Sequence, residues 1–230
     1  SARDSLLEGL GRSGTDAALT VLARERLAAV DDRRKVAEVL GLFGARALTH
    51  LGALAADAEP AVRANAAWSL GFAGPGAASA LVPLLSDPDA AVAANAAAAL
   101  GRLGAAGGLG EGREAILSAL CGATSDARSY VRANALGALT RLSAPEDACG
   151  AGRLAALLAQ DPSDVARAAA AASLRSLPGG TTEGARRALA RCASEEPVSR
   201  VAVGCAPTRL ERSPPGSEQL LVFVVPATGS

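Results

Sequence analysis

The chain has 230 residues, 50% of them hydrophobic but only 2% aromatic, and its 23 Lys and Arg balance 23 Asp and Glu. That length buries a substantial core, while zero net charge leaves no field to draw in nucleic acid or an anionic membrane surface. No uninterrupted apolar run reaches the ~18 residues that a membrane span needs, and the apolar content is mostly Ala, Leu and Val, which suits closely packed helices better than an enzyme pocket.

The N-terminal SARDSLLEGL lacks a basic and apolar leader and does not begin with Met, so it reads as a processed or excised segment. From Asp16 onward, caps and breakers predict paired helices. DAALTVLARERLAAV pairs with DDRRKVAEVLGLFG, and ARALTHLGALAAD with AEPAVRANAAWSLGFAG. Over 75–107, PGAASALVPLLSD gives a first helix, DPD a turn, and AAVAANAAAALGRLG a second helix closed by Gly104. Asp before Pro is a start signal there, and Gly after the last Leu a stop signal. Val92, Ala96, Leu100 and Leu103 form one core-facing stripe. The glycines of 104–113 read as an extended loop between hairpins and not as a phosphate loop, because no Gly-Lys-Ser/Thr follows. Next come GREAILSALCGAT with SYVRANALGALTRLSA and GRLAALLAQD with SDVARAAAAASLRSLPG, then a degraded pair, TEGARRALARCA with EPVSRVAVGCA. After Pro207 the pattern stops. LLVFVV between turn residues is strand-like, and a lone strand needs a sheet, a groove or another chain.

One motif recurs in the second helices: VRANAAWSLG from Val62, VAANAAAALG from Val92, VRANALGALT from Val131 and a blurred ARAAAAASLRSL from Ala166, at spacings of 30, 39 and 35 residues. Such a period is the signature of a solenoid, whose hairpins are too small to bury their own apolar faces and are stabilised by stacking. The predicted fold is all-α, a right-handed α-α superhelix of five to six helical hairpins over 1–207. Residues 208–230 form a Pro/Gly-containing tail with one β-like segment, read as the start of a further domain, a partner for another copy, or a segment that folds back.

The acidic-Pro turns, Val62–Arg63, Val131–Arg132, and the closing Leu70–Gly71 and Leu100–Gly101 resemble HEAT repeats, in the short bacterial form first described in phycobilin lyases, across residues 16–205. The resemblance implies a protein-binding scaffold whose second helices line a concave face. If Val62, Val92, Val131 and Ala166 point into the core, the outward positions are those one, two, five and six residues later. These are Arg63, Ala64, Ala67 and Trp68; Ala93, Ala94, Ala97 and Ala98; Arg132, Ala133, Leu136 and Gly137; and Arg167, Ala168, Ala171 and Ala172. A contiguous apolar face marks a partner site, and Trp68, the only tryptophan, is its expected anchor. The alternative is that Trp68 and the alanines pack between helices.

Asn65, Asn95 and Asn134 hold equivalent places, and since Asn is a poor helix-interior residue, each is expected to satisfy backbone groups at the inter-repeat turn, with a ladder of ligand contacts as the alternative. Arg63 and Arg132, beside acidic turns, read as turn bridges. The function expected is a non-catalytic scaffold for a protein or peptide partner; the alternative is a lyase- or chaperone-type module holding a small apolar cofactor or chromophore in the groove. No metal or cofactor is expected, because His50 is the only histidine and the His-Glu pairs of HEAT-like hydroxylases are missing. Nucleic acid is not expected as a partner either, since HEAT-like glycosylases need a basic concave face. Self-association through the tail stays open. Cys121, Cys149, Cys192 and Cys205 read as buried free thiols, because each sequence-local pair falls at opposite helix ends, beyond the ~7 Å that a bridge spans. That leans weakly toward a reducing compartment, with the cell envelope as the alternative if the N-terminus is processed.

Overall fold

The computed structural model describes residues 2–24, 29–109, 112–142, 149, 151–176 and 182–206; the tail expected over 208–230 lies outside them. Thirteen α-helices are described: α1 (Ala2–Ser13), α2 (Asp16–Arg24), α3 (Val30–Leu40), α4 (Leu48–Leu54), α5 (Pro60–Leu70), α6 (Ala77–Leu81), α7 (Ala90–Ala105), α8 (Arg113–Ala123), α9 (Ser129–Arg141), α10 (Ala151–Gln160), α11 (Asp164–Arg175), α12 (Glu183–Glu195) and α13 (Ser199–Cys205). The pairs from α2–α3 to α12–α13 are the six expected hairpins, and the chain is an α-solenoid. The second helices α3, α5, α7, α9, α11 and α13 pack successively on one another, more extensively than the first helices do except at the last junction, where the two rows pack equally. Ala and Gly on the second helices allow that close approach.

Local chemistry explains the elements. Asp89 caps α7 by accepting from the amides of Ala91 and Val92, Ser163 caps α11, and Pro60 starts α5 where a missing N–H costs nothing. Pro83 breaks the first helix of the third hairpin, so α6 is five residues long and continues as a 3-10 turn over Pro83–Ser86. The stripe Val92, Ala96, Leu100 and Leu103 is buried as expected. Gly104, expected as the stop of α7, is inside it instead. The helix stops after Ala105, and Gly107 follows with a φ of 77°, the left-handed conformation that favours glycine. Gly108 N–H donates to Leu103 O and Gly107 N–H to Gly104 O, a Schellman end. The 39-residue spacing from Val92 to Val131 therefore holds an extra helical turn and this cap as well as loop.

The glycine of each Leu-Gly pair marks where the next second helix crosses. A Cβ on Gly41 would lie 3.1 Å from Ser69 Cβ, and one on Gly101 2.8 Å from Ala138 Cα. α1, outside the expected repeats, obeys the same rule: it packs on α3, and a Cβ on Gly11 would meet the Val39 side chain.

The free-thiol expectation is corrected. Cys121 bonds Cys149 and Cys192 bonds Cys205, with Cα separations of 5.4 and 5.8 Å. Cys149 precedes α10 and is not tied to that helix's end. α13 has only seven residues, about 10 Å at 1.5 Å per residue, so Cys205 ends level with Cys192 and not at the far end of α12.

Candidate partner-binding face

Two features organise the second-helix row: a ladder of arginines at the helix starts, and an exposed stripe that runs to the helix ends.

The ladder begins in the acidic turns. Asp57, Asp87, Asp126 and Asp161 each accept from the backbone N–H two residues on, as does Glu196. Each carboxylate also takes a bidentate arginine. Arg33 pairs with Asp57, Arg63 with Asp87, Arg132 with Asp161 and Arg167 with Glu196, at 2.6–3.1 Å. Arg63 also donates from Nη1 to the carbonyls of Asp57 and Ala58, and Arg132 to those of Asp126 and Ala127. Each of these arginines clamps its own turn to the carboxylate of the next hairpin. Asp87 is held below the usual carboxylate range by its hydrogen bonds from Arg63, against the cost of burial. Burial pushes hardest on Asp161 and would raise it, but the bonds from Arg132 and the Ser163 amide win, and the net shift is downward.

The third hairpin has Ala93 where its neighbours carry arginine. Arg128, from the following turn, fills in: it forks onto Asp126 and donates from Nη1 to the carbonyls of Asp87 and Pro88. Those are the bonds an arginine at position 93 would make, supplied from the opposite side of the junction.

The outward face differs from the expected one. Ala64, Ala67, Ala93, Ala94, Ala97, Ala133, Leu136 and Ala171 are buried, Ala168 is half-buried, and Arg63, Arg132 and Arg167 are committed to the ladder. The turn-bridging reading of Arg63 and Arg132 describes their contacts. A second helix flanked by two of its kind and backed by first helices has three covered sides. Its open stripe lies one residue before the Val and three, six and ten after it, an arc of about 60° at 100° per residue. Trp68, Ala98, Gly137 and Ala172 do share that stripe, exposed or half-buried.

So do the asparagines, all half-buried. Asn65 donates to Arg34 O at 3.1 Å and Asn95 to Ala64 O at 2.9 Å, each a carbonyl on the preceding second helix and not in the turn. Asn134 departs from the expected inter-repeat bond: it donates to Tyr130 O in its own helix. His50 is half-buried on α4. Among the described residues, no three or more His, Cys, Asp or Glu cluster as a metal site, and no helix is long and apolar enough to cross a membrane.

A cluster of large side chains on the stripe lies at the ends of α3, α5 and α7; Tyr130 and Val165 are exposed on it at the starts of α9 and α11. Leu42, Trp68 and Phe72 are 63%, 46% and 52% exposed and line a 390 Å³ groove with Val39, Glu38 and Glu8. The two rings meet edge to face at 5.9 Å. Over them lies Arg102, its guanidinium carbon 3.9 Å from the Trp68 centroid and 4.7 Å from that of Phe72. Its Nη2 donates to Trp68 O, while its buried Nε has no partner. Gly71 makes the seat, since a Cβ there would come within 2.8 Å of the guanidinium. Sequence reading passed over Arg102, although an arginine directly after Leu-Gly, opposite a glycine one hairpin earlier, was its signal. A larger cleft, 590 Å³, opens between α10 and α12 on the first-helix row, but no aromatic side chain lines it.

The family model for HEAT repeats matches residues 48–109 and 79–175, more than half the chain. The chain belongs to the HEAT-repeat family. The match carries no subtype, so the phycobilin-lyase form is not assigned to this HEAT-repeat chain. Solved structures share the fold at low identity. YibA of Escherichia coli superposes with a TM-score of 0.64 at 19% identity, covering 89% of this chain and 73% of that one. Armadillo repeat proteins computationally designed for modular peptide recognition give 0.56 at 24%, covering 87% and 95%. A designed armadillo repeat protein in complex with the peptide (KR)4 gives 0.58 at 22%, covering 86% and 97%. No curated protein matches the sequence significantly.

Proposed function

We propose that this HEAT-repeat chain is a non-catalytic scaffold that binds an extended protein or peptide segment along its second-helix face, with Trp68 as the anchor. The observation that carries the reading is the exposed Leu42–Trp68–Phe72 groove, on a face whose other positions are mostly Ala, Gly and Asn, with Tyr130, Val165 and two arginines farther along the stack. Exposed aromatic surface of this kind marks contact sites. Asn65 and Asn95 are held through Nδ2, which leaves each Oδ1 to accept from a ligand's backbone N–H. The designed peptide-recognition proteins of like fold support an extended ligand.

The test is selection of binders from a displayed random-peptide library, counter-selected on Trp68→Ala. Trp68 is nearly half exposed, so the variant keeps its melting temperature. The expected result is a peptide family that shifts Trp68 fluorescence and loses at least about tenfold in affinity on W68A, the scale of a hot-spot truncation. Binding indifferent to W68A would sink the reading. A fluorescence response confined to small apolar chromophores would favour the cofactor-holding alternative.

A further inference from the structure

We infer that the partner segment is acidic beside its apolar anchor residue, its carboxylates meeting Arg102 and Arg141 where the Trp68 platform ends. The inference rests on the groove reading above and adds the partner's charge.

Arg102 and Arg141 occupy the same register position on successive second helices, ten residues after Val92 and Val131. Phe72 and Leu42 hold that position just past the ends of the two preceding second helices. The stripe therefore changes along the stack from apolar to cationic. Many arginines elsewhere are matched: the ladder arginines fork onto carboxylates, Arg46 and Arg200 pair with Asp16 and Asp164, and Arg113 and Arg175 donate to backbone carbonyls, although Arg187 and Arg191 on the first-helix row also lack a carboxylate among the described residues. Among the described residues, no carboxylate lies within ion-pair distance of Arg102 or Arg141. Acids are present near the groove, but on its other side and already engaged, with Lys35 bridging Glu8 and Glu38 at 2.7 and 3.1 Å.

Arg102 is also held at a cost. Burial and the nearby charge of Arg141 both lower its affinity for its proton, and its Nε lacks an acceptor. A last helical turn accommodates a cation on its own account, which explains the position of both side chains. It does not explain why one is seated over two exposed rings with donor capacity unused. A carboxylate supplied from outside would not reach the buried Nε, but it would meet Nη1 of Arg102 and the exposed Arg141 guanidinium and relieve the repulsion between the two arginines. An apolar residue next to it would fall on Trp68 and Phe72. Nucleic acid fits less well, because two arginines on a chain of zero net charge make no backbone-tracking stripe.

The probes are blocked peptides in which Leu-Phe is followed or preceded by four Glu, four Gln or four Lys, titrated against Trp68 fluorescence in the full chain. A Glu peptide is expected to bind about tenfold or more tighter than its Gln counterpart, with the gap closing as salt rises. Arg141→Glu, at an exposed position, should invert the order in favour of the Lys peptide without moving the melting temperature; Arg102→Gln should weaken the Glu peptide selectively. Equal binding of Glu and Gln peptides, unmoved by R141E, would overturn the inference and leave the apolar groove standing. Binding by no peptide in the set also overturns it, whatever the library selection finds. An oligothymidine that binds with the same R141E dependence would transfer the anion site to phosphate and refute the peptide.

Discussion

The two ends of the second helices use the same residue type to opposite effect. At the starts, Arg33, Arg63, Arg132 and Arg167 each meet a carboxylate bidentately, and two of them clamp a pair of backbone carbonyls besides. At the ends, Arg102 lies over exposed rings with a nitrogen unpaired. Satisfied polar groups fix an architecture, while a cation with no carboxylate partner beside exposed aromatic surface leaves its charge available for recognition. The lesson is that a repeat protein's structural and binding residues separate by whether their hydrogen bonds are already made.

The largest effect should come from breaking the satisfied end. Arg132→Ala strands Asp161, which is 6% exposed, and is expected to cost about 3–5 kcal/mol in urea denaturation, the scale for orphaning a buried ion. A loss below 1 kcal/mol would put Asp161 in contact with water. Reduction of the Cys192–Cys205 bond, or Cys205→Ser, should follow at about 2–4 kcal/mol for a loop of this size, with the C-terminal hairpin first to lose hydrogen-exchange protection. The third test concerns the exception. Arg128→Ala should cost about 2 kcal/mol through its lost charged hydrogen bonds, and adding Ala93→Arg should restore part of it, whereas A93R alone should gain nothing. The smallest effect belongs to the asparagines, with Asn95→Ala losing about 1 kcal/mol for one inter-helix hydrogen bond. Asn134→Ala should lose less, its bond being local to one helix.

Much of this architecture was legible in the sequence. Caps, breakers and the Val-Arg-Ala-Asn-Ala period placed six hairpins, because those signals are local and act through the backbone. The open face was misplaced because Val62 was read as pointing directly away from solvent. In the stack Val62 faces a neighbouring helix, and the exposed stripe turns about a quarter of the circumference away from it. Trp68 and Ala98 survived that error, while Ala64, Ala67, Ala94 and Leu136 did not. The cysteine pairings and the seat of Arg102 on Gly71 depend on how far one hairpin is displaced against the next, which no single repeat encodes. α1 was passed over although Leu10–Gly11 repeats the Leu40–Gly41 signal thirty residues earlier.

The substitution at Ala93 also bears on how the chain is made. Synthesis runs from N- to C-terminus, and each ladder arginine points forward, so Arg63, Arg132 and Arg167 lack their carboxylates until the next turn has left the ribosome. The third hairpin carries no such arginine and awaits nothing of that kind; its junction is completed later, by Arg128 reaching back. A nascent chain ending near residue 109 is therefore the one stopping point after the second hairpin, and before the last, at which no ladder cation is left waiting. Chains halted near residues 74, 142 or 176 should be more protease-sensitive than one halted there.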